Sequence, residues 1–553
     1  MSAFFAAHRG LLEAAVQAAR TRGYWSAYPE TPSGKIYGET AKADGEAAFK
    51  ALIGQPFPLD QQAATRVGRE TSPYGFDLAI SYPSAPVASL VAAAEKAGAA
   101  WARAGVEDRV GVALEILARL NRESFLIANM VQHTSGQAFM MAFQAGGPHA
   151  QDRGLEAVAY AYDEMAKIPG AVTWTKPAGK VNLVLDKQFR IVPRGVALVI
   201  GCATFPTWNS YPGLFASLVT GNPVIVKPHP GAILPLAETV RVARAVLAEA
   251  GFPADVVQLA ADEADAPITK DLVLHPAVQI IDFTGSPAFG AWVRAHAEGK
   301  QVYTEEAGVN SIVIDATDDF RGMTGNIAFS LSLYTGQMCT APQNIFVPRA
   351  GIETPDGHKS FEAVADGIKI AVDRLLGDPE RAAAVLGAVQ SEATLARVDA
   401  AAAKGRVIRA AERIALPGYD GARAVTPLIL AADAADTADY TVECFGPVAY
   451  VIATDSTADS LARAAGTARE KGAITASLYA TDPAVIDAAA DAFAAAGVAL
   501  SVNLTGQVFV NQSAAFSDYH VSGANPAGNA SLTDTAFVAG RFRVATVRRQ
   551  SAA

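Results

Sequence analysis

From Val87 the chain takes on a helical period. VASLVAAAEKAGAAWARAG and DRVGVALEILARLNRESFLIANMVQHTSG repeat apolar residues three or four apart, which predicts helices through Lys167. Residues 1–50 carry the same period. Their first part, MSAFFAAHRGLLEAAVQAARTRG, reads as an amphipathic helix and not as a signal peptide, because His8, Arg9 and Glu13 interrupt it. Residues 51–85 are rich in turns (Pro56, Pro58, Ser72-Pro73, Pro83) and are expected to wrap the surface. Beyond Gly170 the pattern turns to alternation around Pro-Ala-Gly, so VTWTKPAGKVNLVLDKQFRIVPRG predicts a hairpin at about 172–193.

Short apolar runs then alternate with helical ones. VALVIG, PVIVKP, VVQLA and VQIIDFTG read as buried strands. YPGLFASLVTG and ILPLAETVRVARAVLAEAG read as helices closed by Gly221 and Gly251. This order implies a parallel sheet with helices on both faces. A second α/β series begins near Asn310 (SIVIDA), passes through a helix around Ile327–Tyr334 and runs to about Val502. From Asn503 the chain is rich in Gly, Asn and Ser before FVAGRFRVATVRR, a final strand. The expected division is a helical and loop extension (1–85), a first lobe (86–305), a second lobe (306–502) and a closing segment (503–553).

Composition narrows the classes. The chain has 553 residues and half are hydrophobic, enough for a large core. A net charge of −10 argues against nucleic acid as a partner. No run of about 18 uncharged apolar residues predicts a membrane span. The three cysteines, at 202, 339 and 444, make no disulfide framework and lack metal-ligand spacing, so a cytoplasmic setting and no metal are expected.

Cys339 is the candidate for chemistry. It sits in GQMCTA, between an apolar run and a strand-like run, with glutamates in Gly-containing segments on both sides. A thiolate held this way can attack a carbonyl. Cys202 and Cys444 read as packing cysteines. His133, His275, His296 and His358 lack plausible co-ligands.

Six segments now stand in order: TFP (204–206), GNPVIVKPHP (221–230), FTGSPAFG (283–290), EEAGVNS (305–311), GQMCTA (336–341) and ECFGPV (443–448). Together they resemble the aldehyde dehydrogenase superfamily over roughly residues 85–545. FPTWNSYPGLFASLVTGNPVIVKPHP and VFVNQSAAFSDYHVSGANPAGNASLTD are similar to its PaaN-type branch, linked to phenylacetate degradation.

The resemblance implies an α/β fold of two open parallel-sheet lobes with a small β oligomerisation element, and a homo-oligomer. It implies NAD(P)-dependent oxidation of an aldehyde or semialdehyde, expected to be CoA-linked, to an acid through a Cys339 thioester. In EEAGVNS the family's glutamate and glycine align with Glu306 and Gly308. That makes Glu306 the expected general base, with Glu305 on the opposite face. Thr204 takes the place of the family's asparagine before Phe-Pro, whose amide holds the oxyanion. Lys227, Gly285 and Ser286 are expected at the dinucleotide, with Glu443 and Phe445 at the nicotinamide end. Pro230 occupies the position where NAD-preferring relatives carry a glutamate. With Lys227 and His229 nearby, the expected cofactor is NADP, or NAD. In AFSDYHVSG, His520 replaces a common lysine. Two alternatives remain open: a CoA-acylating member, and a catalytically weak scaffold.

Overall fold

The computed structural model describes residues 3–306 and 308–550. Strand Val196–Ile200 is buried along its whole length, as an unbroken apolar run must be when helices cover both faces of a parallel sheet. It lies at the centre of a five-stranded parallel sheet. On one side come Val278–Gly285 and Gln301–Glu306, on the other Val224–Lys227 and Val257–Leu259. Helix Pro206–Val219 starts with proline at its first turn, where the missing N–H costs nothing. Gly221 takes φ +95° in the turn that follows. Ser286 caps helix Pro287–His296 by accepting from Phe289 N–H.

The second sheet has seven strands, in the order Arg406–Arg409, Leu428–Asp433, Val448–Thr454, Pro342–Pro348, Asn310–Ile314, Thr475–Tyr479 and Ala499–Val502. Only the first of these runs antiparallel to its neighbour. The chain crosses from one sheet to the other between Glu306 and Asn310. Ala307, within the EEAGVNS segment, lies outside the described residues.

The third sheet is antiparallel: Ala171–Ala178 and Val181–Pro193 form the hairpin, and Phe542–Gln550 pairs along the longer arm. Its root is fixed by a buried Arg541–Asp282 ion pair (Nη1 to Oδ2 2.8 Å). Asn222 reinforces it by accepting from Arg194 N–H (2.8 Å) and donating to the Arg541 carbonyl (3.0 Å). Gly213 lets Asp282 come this close, since a Cβ there would lie 2.5 Å from its carboxyl carbon.

The N-terminal segment folds as helices Ala3–Thr21, Gly34–Tyr37 and Ala41–Leu52, followed by short strand pairs within 65–84. Phe5, Leu12 and Ala15 of the first helix join the main core. Among the described residues no helix is long and apolar enough to cross a membrane.

Candidate active site

The segment before Cys339 is under backbone constraint. Helix Phe320–Ser332 ends, and Tyr334, Thr335 and Gly336 follow with φ of +51°, +53° and +61°. Two non-glycine residues in succession in this region cost energy, so their surroundings must hold them. Thr335 Oγ1 donates to the Leu386 carbonyl (2.8 Å), and the Tyr334 hydroxyl donates to the carbonyl of Ser135. A Cβ on Gly336 would lie 2.6 Å from the Gly446 oxygen. On the far side of the cysteine, Asn310 acts as a clamp. Its amide donates to the Cys339 and Ala341 carbonyls (2.8 and 3.0 Å) and accepts from the N–H groups of Ile474 and Thr475 (2.9 and 3.0 Å). Cys339 is thus fixed to the second sheet through one fully satisfied side chain.

Two cavities meet at this cysteine. One, of about 520 Å³, lies at the C-terminal edge of the five-stranded sheet; the other, of about 450 Å³, is walled in part by the N-terminal and closing segments. Cys339, Phe205 and Asn209 line both.

Glu305, not Glu306, is the carboxylate placed with Cys339. The reactive atoms of Glu305, Cys339 and His520 lie within 4.8 Å of one another. His520 Nε2 is 2.9 Å from Glu305 Oε1 and 3.7 Å from Cys339 Sγ. Asn209 Nδ2 donates to Glu305 Oε2 (2.9 Å). Glu306 also lines the 520 Å³ cavity, but its carboxylate is ion-paired with Arg294. Gly290 makes room for it, because a Cβ there would fall 2.1 Å from Glu306 Oε1. The expectation that Glu306 faces the nucleophile is therefore corrected by one residue, which in a strand is one face.

The closing segment brings in His520. Glu306 N–H donates to the Ala527 carbonyl (2.6 Å), and Thr304 N–H donates to Asn529 Oδ1 (2.7 Å). The segment thereby lies along the edge strand and carries His520 over Glu305. The Trp208 ring meets the imidazole edge-on at 4.5 Å.

The charge balance follows from these contacts. Burial pushes Glu305 up, but the His520 charge and hydrogen bonds from His520, Cys339 and Asn209 outweigh it, and the carboxyl sits below its ordinary range. Burial holds the Cys339 thiol well above its ordinary value, and the Glu305 charge raises it further. Glu306 moves the other way from Glu305: burial raises it more than Arg294 lowers it.

Thr204 lines the 520 Å³ cavity, but its hydroxyl is turned toward Cys202 Sγ at 4.0 Å. The amide at the junction belongs to Asn209, on the first turns of helix Pro206–Val219. Burial raises the Cys202 thiol to about 11.

The larger cavity also gathers Lys227, His229, Pro230, Gly285, Ser286, Glu443 and Phe445. Gly308 does not line it. A Cβ there would lie 2.4 Å from the Gly472 oxygen, so this glycine serves the approach of two backbones. Strand ends, a helix N-terminus at Ser286 and a cavity of this size fit a dinucleotide diphosphate. Arg397, which the sequence reading passed over, also lines the cavity and donates to the Phe445 carbonyl (3.1 Å). Burial lifts Glu443 to about 7 against the pull of Arg397.

The expected preference for NADP loses its basis here. Lys227 is buried and ion-paired with Asp262 (2.5 Å). Burial, with the Lys227 charge, lowers His229 to about 4, so it is neutral at pH 7. Neither side chain offers a free cation to a 2′-phosphate, and a carboxylate stands beside them.

The fold has relatives among known proteins. Residues 81–534 match the aldehyde dehydrogenase family. A crystal structure described as an NAD-dependent aldehyde dehydrogenase from Burkholderia multivorans is 58% identical, with a TM-score of 0.99 over 100% of both chains. N-succinylglutamate 5-semialdehyde dehydrogenase of Chromobacterium violaceum is 29% identical over 75% of this chain and 78% of its own. The Thermus 1-pyrroline-5-carboxylate dehydrogenase with bound NAD shares the fold, at 19% identity and a TM-score of 0.75 over 96% of this chain and 99% of its own.

Proposed function

Because the chain belongs to the aldehyde dehydrogenase family, we propose that it oxidises an aldehyde to the carboxylic acid, with Cys339 as nucleophile and NAD as cofactor. The observation that carries this reading is the position of Cys339, at the junction of two cavities with a buried acid against it.

When bound, the nicotinamide dinucleotide supplies the hydride acceptor. Glu305 takes the thiol proton as Sγ adds to the aldehyde carbon, giving a thiohemiacetal. Departure of hydride leaves a thioester on Sγ. Glu305 passes the thiol proton to solvent, then takes a proton from the water that attacks the thioester carbonyl and returns it to Sγ as the C–S bond breaks and the acid departs. The buried thiol ionises only as a base receives its proton, which ties nucleophile formation to Glu305. Asn209 and His520 orient that carboxylate. The Asn209 amide and the Cys339 N–H are the proposed oxyanion donors, in place of Thr204. The alignment of Asp262 with Lys227, and the NAD dependence of the Burkholderia relative, support NAD over NADP.

The phenylacetate-branch reading, with a CoA-linked semialdehyde as substrate, rests on two segments that both contribute walls to the 450 Å³ cavity: Phe205 and Trp208 from one, Phe509 and Asn511 from the other. A homo-oligomer through the three-stranded sheet is supported by exposed apolar residues along it, among them Val181, Leu183 and Val544. The CoA-acylating alternative is disfavoured by Glu305, since a thiol acceptor needs no water-activating base. The scaffold alternative leaves the organised Cys339–Glu305–His520 group without a use.

Stopped-flow measurement of NADH formation with a panel of aldehydes, wild type beside Cys339→Ala, tests the proposal. Wild type should form NADH and the variant should not. Product analysis with and without CoA separates acid from acyl-CoA. NADH formation undiminished in Cys339→Ala would sink the reading.

A further inference from the structure

The 450 Å³ cavity is walled partly by residues that precede the family match, which begins at residue 81. Tyr24, Trp25, Ser26 and Glu30 contribute to it from the N-terminal segment. This stretch is built in from several sides. Arg22 lies 4.0 Å over the Tyr519 ring and donates to Glu156 (3.0 Å) and Tyr160 (2.9 Å). Ser26 Oγ and Ala27 N–H both donate to Asp152 (2.6 and 3.0 Å). The Trp25 ring meets Phe516 edge-on at 4.8 Å. Ser517 Oγ donates to the Gly23 carbonyl (3.1 Å).

The charge lining this cavity is one-sided. Glu30 and Asp152 contribute carboxylates, while no lysine or arginine lines it among the described residues. His149 is committed to Glu30 at 2.6 Å, and His520 to Glu305. The Arg153 guanidinium lies behind Trp208, 5.1 Å from its ring, and is engaged by Glu156 and Ser513 (2.8 and 2.7 Å). Much of the remaining wall is apolar or aromatic: Trp25, Met140, Met141, Phe329, Met338 and Phe509. A substrate carboxylate entering here would lose water and meet the buried Asp152 carboxylate and the His149–Glu30 pair, with no lysine or arginine in the lining to compensate. A flat or aliphatic body would gain from the rings and the adaptable methionines.

Building on the aldehyde-oxidising reading above, we propose that this site takes an uncharged aldehyde with an apolar body, and that residues 22–30 help to select it. An acid end on such a substrate must be absent or masked as a neutral ester or thioester, which sets this proposal against the CoA-linked substrate. Free semialdehyde acids, of the kind named for the Chromobacterium relative, are excluded by the missing cation.

The test compares kcat/KM for hexanal, phenylacetaldehyde, succinic semialdehyde and succinic semialdehyde methyl ester. Hexanal, phenylacetaldehyde and the ester should exceed the free acid by roughly hundredfold. Trp25→Ala should raise KM for hexanal more than it lowers kcat, and Tyr24→Ala at the exposed rim serves if that variant fails to fold. Met141→Lys should shift the ratio of succinic semialdehyde to hexanal toward the acid by roughly tenfold or more. Equal kcat/KM for the acid and its ester overturns the proposal while leaving aldehyde oxidation standing. If no aldehyde turns over, calorimetric titration of Cys339→Ala with hexanamide and succinamate decides the selectivity alone. Binding of hexanamide only supports it, and equal binding of succinamate, or no binding of hexanamide, overturns it.

Discussion

Exchange of each adjacent glutamate for glutamine tests which of the two is the base, Glu306 as the sequence implies or Glu305 as the proposed function has it. Glu305→Gln removes the carboxylate held by His520 and Asn209 at 2.9 Å each, and leaves a side chain of the same size with one acceptor oxygen in place of two. Loss of a positioned base costs about 10²–10⁴-fold in rate, or about 3–5 kcal/mol of barrier. Glu306→Gln breaks the ion pair with Arg294, whose side chain is 40% exposed. Solvent screening limits that cost to about 1 kcal/mol of stability or less. Steady-state NADH formation should therefore collapse in the first variant and stay within a few-fold in the second. Alkylation of the apo-enzyme by iodoacetamide supplies a readout of opposite sign. The Glu305 charge holds the Cys339 thiol up, so its removal lowers the thiol pKa and quickens alkylation at pH 8 while turnover falls. Slow labelling of the wild type at pH 7 is what a buried thiol beside a carboxylate dictates, and so is no sign of an inert cysteine. The pH profile carries the same sign. The Glu305 carboxyl is depressed in the folded state, so its stabilising contacts are present above the ordinary value and lost only as pH falls through the folded one. No acid limb from this residue should appear above about pH 4.3. Retained turnover in Glu305→Gln with collapse in Glu306→Gln refutes the assignment, as does slower alkylation in Glu305→Gln.

The junction amide gives a second comparison. Asn209→Ala should lower single-turnover kcat by about 10²–10³-fold, whereas Thr204→Ala, whose hydroxyl is turned toward Cys202, should stay within about tenfold. Wild type should favour NAD over NADP by about tenfold or more in kcat/KM, and Asp262→Asn should narrow the gap by freeing the Lys227 charge; a wild-type preference for NADP counts against the Asp262 argument. In the third sheet, Leu183 and Val544 are 49% and 44% exposed. Leu183→Lys with Val544→Lys should yield a smaller species by light scattering on a sizing column, and an unchanged mass moves the interface elsewhere.

The layout was legible because it depends on periods that repeat. Five buried strands of one sheet and the helices between them leave long, redundant patterns, so a misjudged residue or two changes nothing. The VTWTKPAGK hairpin announced itself by alternation and a turn at Gly179, which takes φ +66°. Helix boundaries were less visible. The helix expected around Ile327–Tyr334 spans Phe320–Ser332, because Asp319 caps it seven residues earlier by accepting from Gly322 N–H. The left-handed turn at Tyr334 and Thr335 carries no glycine at either position to signal it. Its φ values are imposed by partners at Leu386 and Ser135, which are remote in sequence.

The site was half legible for a related reason. Cys339 stood out by its neighbours, but the identity of its base turned on a single step of register, and alternation gives no margin there: adjacent residues face opposite ways. Counting back from Asn310, whose amide clamps the Cys339 carbonyl and two N–H groups of the neighbouring strand, fixes the register better than counting from the glycines. Asn310 has a geometric duty that only one position can meet. The glycine at 308 merely avoids Gly472. The contacts of His520, Arg397 and Asp262 were beyond reach for another reason. Each acts on a partner at least 35 residues away in sequence (Glu305, Phe445 and Lys227), so no local pattern points to them. The family resemblance marks His520 only as a replacement for an expected lysine, with no role attached. The His520 imidazole lies 2.9 Å from Glu305 and 3.7 Å from Cys339, so it touches both groups of the proposed reaction. The electrostatics of this site are therefore set by three groups in contact, and not by the cysteine and its glutamate alone.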